Sequence, residues 1–112
     1  MRTRYSQKIE RVQERVLDGP GMLEPSRRRL AFEGRALGND LADRYVLNIH
    51  RHAYKITEGD VDELRRAGWT EDRIFELSIS AAFGAARQRL DAALRAVEAA
   101  RTSPSVSVDE GA

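Results

Sequence analysis

Residues 39–86, NDLADRYVLNIHRHAYKITEGDVDELRRAGWTEDRIFELSISAAFGAA, carry three helix starts in tandem and decide an all-α fold. Two of the starts share one grammar, a polar cap preceded by an apolar residue that packs five positions ahead. Thr57 caps a helix with Asp60 three residues on, and Ile56 staples to Val61. Thr70 caps the next, with Glu71 and Asp72 in its first turn and Trp69 stapling to Ile74. Gly68 stops the short helix between them. The third start, Asn39-Asp40, opens a helix expected to run to about residue 55.

On that helix Ala42, Val46, Ile49, Ala53 and Ile56 fall within an arc of roughly 80°, the expected core stripe. Beside it lie Leu41, Tyr45, Asn48 and His52, so a polar trio projects together at the border of the apolar face. His50 points about 160° away from His52, so the two histidines of one regular helix cannot chelate one metal. No metal or cofactor is expected. Leu47 and Tyr54 sit on a further side, which calls for a neighbouring chain or the N-terminal helix as cover.

Downstream, residues 70–101 read as one long central helix, or two joined near Gly84. Ile74, Leu77 and Ala81 make one apolar line; Phe75, Ile79, Ala82, Phe83 and Ala86 make another. The small residues of 78–86 let another backbone approach closely. Further on, Leu90, Ala93, Leu94 and Val97 are expected to face inward. Upstream, Tyr5, Ile9, Val12 and Val16 form one stripe on a helix of about four turns, ended by Asp18-Gly19-Pro20-Gly21. Pro25 suits the first turn of a second helix, which frays near Gly34 or Gly38. The whole is a bundle of five to six helices, with residues 1–101 as one domain and 102–112 as a disordered tail.

Composition narrows the function. The 112 residues include 41% hydrophobic and 33% charged residues, enough for one modest core. There is no cysteine, which excludes disulfides, thiolate metal sites and any thiol chemistry by this chain. The net charge of +1 is interspersed, and the run Arg27-Arg28-Arg29 is short and without aromatics, so nucleic acid is not expected. Residues 61–77 imitate a helix-turn-helix, yet Phe75, Leu77 and Ile79 demand burial where a recognition helix would be polar. No apolar run reaches the roughly 20 residues of a membrane span. A cytoplasmic protein is expected.

The segment HAYKITEGDVDELRRAGWTEDRIFELSISAAFGAARQRL resembles the carboxymuconolactone decarboxylase and alkylhydroperoxidase-D-like superfamily. It shares a histidine-ending helix, a short helix closed by Ala-Gly, an acidic cap and a long helix rich in small residues. The likeness covers about residues 30–98. It implies an all-α homo-oligomer with the histidine near a pocket or interface. Peroxidase members carry Cys-x-x-Cys-x-x-x-His with an upstream glutamate as proton relay. With His52 as the motif histidine, the cysteine positions fall on Tyr45 and Asn48, and Glu33 lies at about the relay spacing, counted without gaps.

Two functions follow from these residues. One is a homo-oligomeric scaffold that binds a partner or small molecule and has lost the thiol chemistry. The other is a cysteine-independent enzyme with His52 as general acid or base, assisted by Tyr45, Asn48 or Glu33, on a small organic substrate. If the trio is a hydrogen-bonded vestige, His52→Ala should cost roughly 1–3 kcal/mol of stability.

Overall fold

The computed structural model describes residues 4–102, so residues 103–112 of the expected tail lie outside it. The described residues form five α-helices and no strand: α1 (Arg4–Asp18), α2 (Pro25–Glu33), α3 (Asp40–His52), α4 (Glu58–Arg66) and α5 (Glu71–Thr102). A single 3₁₀ turn, Ala53–Lys55, follows α3.

The helix starts obey the local chemistry. Thr57 and Asp60 complete a reciprocal capping box, the Asp60 carboxylate accepting from Thr57 N at 2.8 Å and Thr57 Oγ1 from Asp60 N at 3.4 Å. Asn39 Oδ1 accepts from Ala42 N at 3.1 Å, and Thr70 Oγ1 from Arg73 N at 3.2 Å. Ile56, Val61 and Trp69 pack against the core from these starts. Gly34 closes α2 in the left-handed conformation, φ 74°, with Arg35 N reaching back to Leu30 O.

The first half of α5 is the hub, touching every other α-helix and most extensively α2. Leu77 and Ala81 are fully buried there, against Leu23, Ala31, Ala42, Val46 and Leu64 from the surrounding elements. α5 is one unbroken helix through Gly84, where α2 comes closest: a Cβ on Gly84 would stand 1.8 Å from the carbonyl oxygen of Phe32. Phe32 and Phe83 stack beside this crossing, ring centroids 6.3 Å apart. At the α4–α5 corner, Arg65 hydrogen-bonds Glu71 at 2.6 Å and Asp62 at 2.5 Å. The Arg65 hydrogen bond lowers the Glu71 pKa, so this surface contribution is present at neutral pH and is lost as pH falls through the lowered value.

Several expectations change. Phe75 and Ile79, expected to demand burial, are 65% and 38% exposed on the side of α5 turned away from the core. The 3₁₀ turn takes over at residue 53, so Ala53 is exposed and drops out of the core stripe. α1 buries Leu17 and half-buries Ile9 and Val16, but Tyr5 and Val12 stay 74% and 50% exposed, because α1 lies over the edge of the α2–α5 pair. Leu47 and Tyr54 are exposed too, so of their two expected covers the N-terminal helix is not the one. Finally, Leu90, Ala93, Leu94 and Val97 do not face inward: α5 outruns its neighbours, and every residue from 92 to 102 is exposed. The radius of gyration, 17.8 Å, records that overhang; a compact chain of this length has about 13 Å.

Candidate functional site

The α3 border residues do not form one cluster. Tyr45 is buried, and its hydroxyl lies 2.6 Å from Ser78 Oγ on α5. Ser78 donates its only proton to Ile74 O, 2.7 Å away, so Tyr45 is the donor in the pair. The phenol proton is thereby committed to a helix–helix contact. Asn48 is exposed and shares with Tyr45 a small cleft of about 70 Å³ between α3 and α4, whose other walls are Leu41, Arg44, Asp60 and Glu63. Such a volume suits a few atoms at most, against the roughly 300 Å³ and upward of typical small-molecule sites.

His52 is outside this cleft. It is the last residue of α3, exposed, with φ −145° and ψ 56° where the chain leaves the α-helix, and its ring meets Tyr54 edge-on at 6.1 Å. Among the described residues no hydrogen bond joins it to Tyr45 or Asn48. Glu33 ends α2 on the surface and pairs with Arg35 at 3.4 Å. The structure thus brings Tyr45 and Asn48 together and leaves His52 and Glu33 apart from them.

The histidine that the fold does use is His50. Half-buried, its Nε2 lies 2.8 Å from Ala31 O; since a carbonyl can only accept, Nε2 carries the proton. The ring rests on the end of α2, where a Cβ on Gly34 would sit 3.3 Å from it, and Arg89 of α5 donates to His50 O at 3.0 Å. His50 therefore locks α2, α3 and α5 together. His50 follows Val46 by four residues and so borders the core stripe of α3, but its partner is a backbone carbonyl 19 residues away, which no side-chain pattern announces.

The stability expectation for His52 changes accordingly. His52→Ala is expected to shift stability by less than about 0.5 kcal/mol, as for an ordinary surface residue, and His50→Ala to cost roughly 1–2 kcal/mol through the lost bond to Ala31 O, which keeps only its bond from Gly34 N. Urea unfolding of both variants checks this; the opposite order would place the structural histidine wrongly.

Among the described residues no three His, Asp or Glu side chains converge as a metal site needs, and no helix is long and apolar enough to cross a membrane. No family model, no curated protein and no solved structure matches the chain.

Proposed function

We propose that the chain is a cysteine-less member of the carboxymuconolactone decarboxylase and alkylhydroperoxidase-D-like superfamily that works as a homo-oligomeric scaffold, binding a partner or small molecule without thiol chemistry. The observation that carries this reading is the use made of the two positions where the resemblance puts cysteines. Tyr45 holds α3 to α5 through Ser78, and Asn48 borders a cleft too small for a substrate. A phenol with a reference pKa of about 10 and an amide cannot replace a thiolate nucleophile at neutral pH. An enzyme working through His52 would need its base on the open surface, without a positioned partner or exclusion of water. The exposed apolar residues Leu47, Phe75, Leu90, Leu94 and Val97 support self-association instead.

The expected result in light scattering is a mass of two or more chains at micromolar concentration. Metal-free protein is expected not to turn over an organic hydroperoxide with a dithiol donor. A monomeric mass would overturn the scaffold reading, and hydroperoxide turnover would overturn the loss of thiol-type activity.

A further inference from the structure

The side of α5 turned away from the core is apolar without a break over about six turns. Phe75, Ile79, Leu90 and Val97 on it are 65%, 38%, 40% and 54% exposed, and Ala82, Ala86 and Ala93 between them are exposed as well. At 100° per residue the seven lie within an arc of roughly 80°, centred about 170° from the buried line of Leu77, Ala81 and Gly84. Their spacing along the chain is four, three, four, four, three and four. That series reads the same in both directions, with Ala86 at its centre.

We propose that α5 pairs with the α5 of a second copy, antiparallel, about a two-fold axis at Ala86. The inference rests on the homo-oligomer reading above and supplies its interface. A two-fold there sets Phe75 opposite Val97, Ile79 opposite Ala93 and Leu90 opposite Ala82, and lets Ala86 meet itself. Each large side chain faces a smaller one, as close packing requires. A parallel pair would instead set Phe on Phe and Leu on Leu, with alanines facing alanines, crowding some layers and emptying others.

The charges fall into the same register. Asp72 and Arg101 flank the stripe at its two ends, only about 20° apart around the helix, so the two-fold brings an Asp72 to an Arg101 at both ends. Antiparallel packing also opposes the two helix dipoles. Leu94, 56% exposed, lies on the flank that meets the partner beside Glu76 and Ile79, where a cleft of about 280 Å³ opens between α1 and α5. Val16, Pro20, Phe75 and Ile79 give that cleft an apolar wall for it.

The size is sufficient. The paired stripe runs about 33 Å and, with its flanks, buries on the order of 1,200 Å² in total, the lower limit of a specific interface. The pairing would also cover residues 92–102, a helical end that has no packing partner in one chain and is of a length that is marginal alone in water.

Because the chain has no cysteine, an introduced one reports by itself. Ala86→Cys is expected to oxidise almost wholly to a disulfide-linked dimer. Ile79→Cys and Ala93→Cys are expected to cross-link when mixed and to remain largely uncross-linked alone. Leu90→Glu is expected to lower the light-scattering mass to that of one chain, with circular dichroism showing the helical fold retained. If Leu90→Glu loses the fold, the cysteine variants decide alone. A monomeric wild type would overturn both this interface and the oligomer reading. An oligomer in which Ala86→Cys fails to cross-link and Leu90→Glu keeps the full mass would overturn this interface alone. Efficient self-cross-linking of both Ile79→Cys and Ala93→Cys would show the pair to be parallel and refute the two-fold at Ala86.

Discussion

Gly84→Ala is expected to destabilise the protein by roughly 3 kcal/mol, and Gly84→Val to prevent folding, because the crossing of α2 and α5 has no room for a side chain. A Cβ built on Gly84 stands 1.8 Å from Phe32 O, 2.6 Å from Phe32 C and 2.8 Å from Phe32 Cα. All three are backbone atoms, so no side chain can rotate away; the helices must part. Ala31 on α2 and Ala81 and Ala85 on α5 are buried near this crossing and contribute no long side chains that could bridge a wider gap. Separation would also disturb the Phe32–Phe83 stack and the Ala31 carbonyl that His50 holds. The glycine hydrogen in that position faces the Phe32 carbonyl, the arrangement of a weak C–H···O contact. For a domain of this size, about 3 kcal/mol corresponds to a melting temperature lower by roughly 12–24 °C. Thermal unfolding followed by circular dichroism measures it. Gly59→Ala is the control: its Cβ would meet only Thr57 Oγ1, at 3.5 Å, and its φ is not positive, so it should be neutral or slightly stabilising. Equal melting of Gly84→Ala and the wild type would mean that α2 does not cross there.

The run of small residues around Gly84 announced a close backbone approach, but not which helix would make it. The same division holds elsewhere. Caps and staples are local, so Asn39, Thr57, Thr70 and the helices they start were legible within a few residues of sequence. Pro25 and Gly34 bounded α2 for the same reason. What the sequence left open was how far each helix is accompanied. Leu90, Leu94 and Val97 have the spacing of an inward face, and periodicity cannot tell a face buried by its own chain from one left for another. Phe75 and Ile79 read as buried on the same evidence, yet they are solvent-facing in the single chain. The trio Tyr45, Asn48 and His52 shared an edge by wheel geometry, and Tyr45 and Asn48 do share a cleft. His52 left it because the α-helix stops there and a 3₁₀ turn begins, an event with no proline or glycine to mark it. Arg28 was hidden in another way: within Arg27-Arg28-Arg29 it looked like one of three solvated cations. Its signal was its place three and four residues before Ala31 and Phe32, on the buried face of α2.

Arg28→Ala is accordingly expected to cost roughly 2–4 kcal/mol, whereas Arg27→Ala and Arg29→Ala should each stay within about 0.5 kcal/mol. Arg28 is only 3% exposed, and its Nε donates to Leu23 O at 2.8 Å while a terminal nitrogen donates to Val16 O at 3.1 Å. One planar guanidinium thus joins the last turn of α1 to the far end of the loop that follows it. From the other side the Glu76 carboxylate of α5 accepts from Leu23 N at 2.7 Å and Met22 N at 3.0 Å. Gly21 lies against the same carboxylate, where a Cβ would come within 2.8 Å of it. The loop therefore folds around two charged groups, and deleting Arg28 leaves the buried Leu23 carbonyl, and the half-buried Val16 carbonyl beside it, without their donor. Arg28→Lys should recover only part of the loss, since an ammonium lacks the rigid fork that spans both acceptors. Arg27 and Arg29 are surface groups, paired with Glu24 and Asp18 respectively, and their pairs are screened by solvent. Salt separates the cases further: the Arg28 bonds go to neutral carbonyls, so the deficit of Arg28→Ala should be nearly unchanged between low and 1 M sodium chloride. Urea unfolding of the three alanine variants at both salt concentrations is the test. Equal losses for all three would show that the buried guanidinium does not hold α1 to the body, and the placement of α1 over α2 and α5 would have to be revised.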